Sequence, residues 1–562
     1  MALVKNIVTW VLCGLGFGLV MAIVSNAFVI GVQWLTSFRE TQVFLPIEIG
    51  SFEISVGPLL CLFIAATLII ILKSILGIER WHGPADAIHA AHRTDNELDI
   101  KSGFGSTLAA FISAAGGASV GQYGPLVHFG ATMGSFLRRL TGGVLSTDIF
   151  IGCGVAGAVA AGFNAPIAGI IFAHEAILRH FSMRAIGPIA IASVSSVWFS
   201  ERFFGTNHLF DFTAISINLS EMLPAALVAG PLFGLLALCF MYAIRQSARF
   251  AATSGWSFTQ LVFTAAGVTG CVGMFVPQVL GLGTSTLNSI LNGGIDTGFL
   301  VTLLVLKLIL TALCIGFGMF GGIFSPALFV GAAAGGLAGQ LMLVLLGFGS
   351  ETALAICGMA AVGSAVIGAP VAGVLIILEM TMNYEFALVA MVSVVAAIMV
   401  TSIIFGHSFF DRQLIDRGID ISQGRGHLEM TEMPVTSIVN VDYPRIEKSD
   451  TVEKVMTLFK QSGSSEGYMI DAENVFKGKV SIHALIGMPD HTSVDAVVDV
   501  NPLSIKHDAS LLQAIEVASN FVGESIPIVN RDNGHLYGVV TEADLFMLYL
   551  SLQTRVSDLE RA

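Results

Sequence analysis

The chain has 562 residues, 54% of them hydrophobic and only 12% charged, with a mean hydropathy of +0.80. Such a composition excludes an ordinary soluble domain. The net charge of −13, without clustered Lys and Arg, also excludes a nucleic-acid-binding protein, which has to neutralise phosphates.

The charge is unevenly distributed. Residues 427–562 carry 20 acidic against 10 basic side chains, a net of −10, whereas the first 426 carry 20 against 17, a net of −3. The two parts face different solvents. In the first part, stretches such as 7–36, 53–77, 222–246, 299–320 and 386–405 reach or exceed the ~20 apolar residues that cross a bilayer, and they are predicted spanning helices. The apolar stretch near the start is too long for a signal-peptide core and reads as a retained helix. Stretches 127–137, 151–162 and 351–366 are short and broken by Gly and Pro, as half-helices are where they meet inside a protein-lined cavity. The seven cysteines (Cys13, Cys61, Cys153, Cys239, Cys271, Cys314, Cys357) fall singly in apolar stretches and read as packing residues, with no spacing for a metal site or a disulfide framework.

Two segments recur. "FNAPIAGIIFAHEAI" (163–177) and "IGAPVAGVLIILEMT" (367–381) share A-P-x-A-G, an apolar run and a Glu, at an offset of 204. "GQYGP" ending at Pro125 and "GGIFSP" ending at Pro326 stand 201 apart. Two matches at nearly one period predict a duplicated membrane unit, with halves of about 1–205 and 206–420, and a substrate site where the halves meet. Both glycine-rich loops run into a proline and an apolar stretch, the sequence form of a helix start. A helix start leaves N–H groups unpaired and carries partial positive charge, so two of them aimed at one point suit an anion without any Lys or Arg. The alternative is that the glycines only let helices pack closely; two copies at the repeat offset favour the anion. Glu175 and Glu379 occupy equivalent positions and read as partners for neighbouring backbone groups.

These residues, together with "RWHGP" (80–84), "GIFSP" (322–326) and "LEMTMNY" (378–384), resemble the CLC family of chloride channels and chloride/proton antiporters over about residues 5–415. That family's motifs, G-S-G-I-P, G-[K/R]-E-G-P and G-x-F-x-P, follow in the same order. The resemblance implies an all-α polytopic inverted repeat of about 17 helices, normally a homodimer with one pore in each subunit. It also implies an anion site, chloride by default, built from backbone N–H groups of Tyr123, Gly124, Ile323 and Phe324.

Position by position, the chain departs from the family. Tyr123 stands where the family has its gating Glu, and Gln122 where it has a basic residue. A phenol with a reference pKa near ~10 stays neutral; it can donate a hydrogen bond to an anion or block the path, but it cannot imitate one. In "FAHEAI" (172–177), Ala176 replaces the antiporters' inner proton-transferring Glu. With both carboxylates gone, His128 and His174 are the alternative proton relay. The family's hydroxyl donors are replaced by Trp81, or His82 if the loop shifts by one, and by Phe410. Trp81 and Phe410 suit either an apolar constriction or simple packing.

After "GRG" (424–426), short β-rich runs alternate with amphipathic helices, and the pattern repeats after about 60 residues. This part resembles a tandem pair of CBS modules, about 434–490 and 496–550 within 434–562, behind a linker at 421–433. Thr541 and Asp544 match positions that hold an adenosine ribose and phosphate in such modules, whereas Ser481 and Ala484 depart from that pattern. One adenosine-nucleotide site per chain is implied at most, with an N-cap role for Thr541 and Asp544 as its rival.

The sequence is read as a passive chloride-type channel or uniporter of 1–420 in the cell membrane. Its tail and the polar stretch 92–101 are expected in the cytosol. No metal and no obligatory cofactor are expected, and no nucleophile–base set is legible. The alternatives are an anion/proton antiporter with a non-standard relay, a transporter of bicarbonate or nitrate, and a non-conducting anion sensor.

Overall fold

A computed structural model describes residues 2–41, 46–49, 52–93, 97–141, 146–205, 217–347, 349–530 and 532–561. The chain divides into two units, Met1–Ile419 and Asp420–Ala562. Part of the polar stretch 92–101, residues 94–96, lies outside the described residues.

The first half of unit one holds α1 (Ala2–Thr41), α2 (Gly57–Leu76), α3 (Pro84–His92), α4 (Ile100–Gly116), α5 (Tyr123–Thr141), α6 (Thr147–Phe163), α7 (Pro166–Phe172) and α8 (Met183–Phe204). The second half holds α9 (Leu219–Thr253), α10 (Phe258–Phe275), α11 (Thr284–Leu291), α12 (Thr297–Gly316), α13 (Phe324–Leu346), α14 (Glu351–Ile367), α15 (Pro370–Thr381) and α16 (Tyr384–Ile404). The short α17 (Phe409–Ile415) follows, so the described residues of this unit form the 17 helices expected, with one departure from an all-α unit, a short antiparallel hairpin of Pro46–Ile49 and Phe52–Ser55. The halves correspond helix by helix: α6 and α14 start and stop 204 residues apart, as do the starts of α7 and α15.

Seven helices among the described residues are long and apolar enough to span a bilayer, including Phe258–Phe275 and Phe324–Leu346. Their outward side chains, such as Ile64, Val344 and Ile403, are exposed, as lipid-facing residues are. Cys239 and Cys271 are exposed too, which corrects the packing assignment for those two. The stretch 127–137 is not a broken half-helix but part of the continuous α5, because Pro125 falls in its first turn, where a missing N–H breaks no ladder bond.

Small residues set how closely the halves are built. A Cβ on Gly154 of α6 would lie 1.9 Å from the carbonyl oxygen of Gly130 on α5. The matching contact in the second half puts a Cβ on Gly358 2.2 Å from the oxygen of Gly331. No side chain fits at either crossing.

The A-P steps are tied across the repeat. Glu379 at the end of α15 accepts from the N–H groups of Ile167 and Ala168 at the start of α7, at 2.9 and 2.7 Å. Glu175, in the π-helical turn Ala173–Leu178 after α7, accepts from Val371 and Ala372 at the start of α15, at 3.0 and 2.8 Å. Each carboxylate thus satisfies orphan donors of the other half and meets the positive end of its helix. Charge-assisted bonds of this kind contribute about 1.5–3 kcal/mol each. The role read for these glutamates from the repeat is the one they perform.

Unit two contains two three-stranded sheets of the same order. In the first, Arg445–Ile446 pairs parallel with Glu466–Ile470, which pairs antiparallel with Phe476–Ser481. In the second, Ile505–Lys506 pairs parallel with Ile526–Val529, and that strand pairs antiparallel with Leu536–Val540. Amphipathic helices Val452–Ser462 and Leu511–Ala518 cross over in corresponding places. Buried Lys479 pairs with Glu466 of the same module at 2.7 Å and reaches the other module by donating to the Ser525 carbonyl at 3.0 Å.

Candidate anion site

The two glycine-rich loops meet. Gly121 and Gly322 exchange a reciprocal pair of backbone hydrogen bonds, each 2.7 Å, a two-residue antiparallel bridge between the halves. Glycine is required there because a Cβ on Gly121 would sit 2.9 Å from the Gly322 oxygen, and one on Gly322 2.9 Å from the Gly124 nitrogen. The bridge anchors the starts of α5 and α13 side by side, so the first N–H groups of both helices open toward the same interior region. A cavity of about 80 Å³ lies there, lined by Tyr123, Gly124, Ile323 and Phe324 of the two starts and by Trp81 and Phe410. One buried water needs ~10–15 Å³ by this measure, so a small ion with part of its hydration fits.

The phenol is held in place rather than free. Its ring stacks on Phe163, the last residue of α6, with centroids 3.7 Å apart and planes at 18°. Phe324 closes an edge-on triangle, 5.9 Å from Tyr123 and 5.5 Å from Phe163. The Tyr123 hydroxyl donates to the Gly162 carbonyl at 3.2 Å. That bond engages the hydroxyl's proton with backbone, so donating to an anion requires the hydroxyl to leave Gly162.

Trp81 packs on Phe320 at 6.1 Å, and its indole N–H donates to the Gly318 carbonyl at 3.3 Å. Phe410 is set by α17, which starts with a Ser408–Asp411 capping box and is tied down by an Arg179–Asp411 ion pair. Both aromatics therefore reach the cavity, from elements fixed by polar contacts.

Gln122 and His82 do not line it. Gln122 precedes the first helical residue and is buried against the protein instead. His82 turns away toward His128, with ring centroids 5.9 Å apart. His128 and His174 are likewise not among the lining residues, and the His174 ring is hydrogen-bonded to the His180 carbonyl at 2.9 Å.

Among the lining residues that the sequence reading did not single out are Phe163, Asp86 and Arg417. Phe163 was inside a quoted repeat, where its counterpart is Ile367, and that asymmetry was the available signal. Asp86 is an ionisable residue in the membrane part, which by itself marks a site. Arg417 lies just past the last helix. Arg417 and Arg80 both pair with Asp86, at 3.0 and 2.6 Å, leaving the cluster with one net positive charge at the cavity's edge.

In the second unit, Thr541 and Asp544 bond to each other: the Thr541 hydroxyl donates to the Asp544 carboxylate at 2.7 Å and accepts from the Asp544 N–H at 3.1 Å. That is the N-cap arrangement for helix Glu542–Arg561.

Fold and site together define an inverted-repeat, multi-pass membrane protein whose central cavity sits where paired helix starts meet. Residues 78–402 match the voltage gated chloride channel family, and the chain belongs to that family, the CLC proteins. Its members are channels and transporters rather than enzymes. Residues 494–551 match the CBS domain, covering the second of the two modules.

Among relatives, the chain is 31% identical to a putative chloride channel protein ClcB-like of Ralstonia nicotianae over 332 residues, 55% of this chain and 74% of that one. It is 29% identical to the H(+)/Cl(−) exchange transporter ClcA of Vibrio cholerae over 310 residues, 53% of this chain and 66% of that one. Among solved structures, a eukaryotic CLC transporter matches with a TM-score of 0.64 at 20% identity, covering 96% of this chain and 98% of that one. A slow cyanobacterial Cl−/H+ antiporter gives the same TM-score at 19% identity, over 73% and 97% of the two chains. At those identities the likeness establishes the fold.

Proposed function

We propose that this protein conducts chloride or a similar small anion passively, as a channel or uniporter not coupled to protons, with Tyr123 as the gate. Tyr123 itself carries the assignment. It occupies the meeting point of the two helix starts, is neutral at physiological pH, and is held shut by one aromatic stack and one hydrogen bond. Those contacts contribute about 0.5–1.5 kcal/mol each. Swinging the ring aside therefore costs about 1–3 kcal/mol, a barrier thermal motion crosses readily without a proton to trigger it. The one carboxylate among the described lining residues, Asp86, is ion-paired with Arg417, and that pairing argues against its carrying protons.

We further assign the protein to the cell membrane as a homodimer, with the C-terminal unit in the cytosol and at most one adenosine-nucleotide site per chain, at the module of Thr541 and Asp544. No obligatory cofactor enters this scheme.

Proteoliposomes loaded with chloride, with external pH recorded, test the reading. Downhill efflux without stoichiometric proton movement is expected. Proton uptake against its gradient, driven by chloride, overturns it and favours exchange through a histidine relay, the activity in the Vibrio cholerae relative's name. Anion binding without any flux overturns it in favour of a sensor.

A further inference from the structure

Among the described residues, one grouping has the make-up of a metal site: His82, Asp86 and His128, whose candidate ligand atoms all lie within 4.8 Å of one another. His82 and Asp86 are one helical turn apart at the entry to α3, and His128 faces them from α5. The His128 ring is fully buried, and neither of its nitrogens has a hydrogen-bond partner; Nδ1 of His82 is buried and unpartnered as well. A buried polar atom left unpaired costs about 1–3 kcal/mol, and native proteins keep few of them. Three of the four ring nitrogens, both of His128 and Nδ1 of His82, are thus buried without a bond beside one carboxylate, and a partner that accepts nitrogen lone pairs would satisfy them.

Asp86 is fixed for such a role. One carboxylate oxygen accepts from the Gly83 N–H at 2.9 Å, and the other is shared by Arg80 and Arg417. Two neutral imidazole nitrogens and a carboxylate oxygen, with a position to spare, suit a borderline transition-metal dication and not calcium or magnesium, which take oxygen ligands. Bonds of roughly 2.0–2.1 Å bring tetrahedral donors closer than the present spread, so binding requires the His82 and His128 rings to move inward.

We propose that His82, Asp86 and His128 bind one zinc-class dication per chain. The site lies behind the anion cavity, which Asp86 also borders. A metal competes with Arg417 for Asp86, and Arg417 lines the same cavity, so occupancy leaves that guanidinium free to hold an anion. Metal binding is therefore expected to slow anion efflux.

The test uses the full-length, tag-free protein in detergent, titrated with zinc chloride by equilibrium dialysis. Saturable binding near one zinc per chain is expected, undisturbed by millimolar magnesium. His128→Gln and His82→Gln should each weaken it by about 10-fold or more, whereas His407→Gln, at an exposed histidine elsewhere, should not. A cobalt(II) titration gives a second readout, since a four-coordinate N/O site produces strong visible d–d absorption that His128→Gln should abolish. Absence of saturable binding, or binding equally strong in both His82 and His128 variants that elute as folded protein, overturns the proposal. If zinc binds at the site but leaves efflux unchanged, the coupling to Arg417 is wrong.

Discussion

The two halves of the membrane unit are alike where they hold each other and unlike where they face the cavity. Gly121 mirrors Gly322, Gly154 mirrors Gly358 and Glu175 mirrors Glu379, each pair in the same contact with the opposite or neighbouring element. Tyr123, by contrast, stands opposite Phe324, and Phe163 corresponds to Ile367. Symmetric residues carry the fold because both copies solve one packing problem. The asymmetric residues are the ones that border the cavity.

The harshest way to break that comparison is at the glycine crossings. Gly154→Val and Gly358→Val should both abolish folded protein, read by size-exclusion chromatography in detergent, since each places a side chain within 2.2 Å of a backbone carbonyl. Normal recovery of either variant means the crossing is not needed.

Next in size is the gate. Tyr123→Ala should raise chloride efflux by about tenfold, the factor that removing about 1.4 kcal/mol of closing contacts predicts. Phe324→Ala, which leaves the Tyr123 stack and hydrogen bond in place, should raise it far less. Equal effects would erase the distinction between the halves. Tyr123→Glu should make efflux pH-dependent, higher in acid, where the carboxyl is neutral and does not occupy the anion's place.

The glutamate caps should behave as twins. Glu175→Gln and Glu379→Gln each replace charge-assisted bonds with neutral ones and should cost about 1–3 kcal/mol, seen as similar drops in melting temperature in detergent. A large drop in one and none in the other would show that one cap has a task outside the fold. The smallest effect is expected in the tail: Asp544→Ala should remove any adenosine-nucleotide binding measured by calorimetry and cost about 1 kcal/mol through the lost cap. Nucleotide binding that survives the substitution puts the site elsewhere.

Much of this architecture was legible beforehand because it rests on local, one-dimensional signals. Apolar length marks a span, and a repeated A-P-x-A-G or Gly-x-x-[Gly/Ser]-Pro marks a helix start twice over. The matched family region, residues 78–402, is narrower than the 5–415 suggested by the motifs, although α1, α2 and α17 lie beyond it. The stretch 127–137, read as a broken half-helix, is part of the continuous α5, and Pro125 sits in its first turn, in keeping with its reading as a helix start.

What the sequence determined alone is the duplication, the presence of several apolar spans and the identity of the residues at 123 and 176, a tyrosine and an alanine. Each of these is a property of residue order. What only the tertiary structure decided is which side chains meet: that the Tyr123 hydroxyl is bound to Gly162, that His82 turns from the cavity to His128, and that Asp86 joins Arg80 to Arg417. His82 and His128 are 46 positions apart, with no spacing rule to link them. Their meeting depends on how α3 and α5 pack, and a side chain's direction at such a contact is set by its neighbours in space.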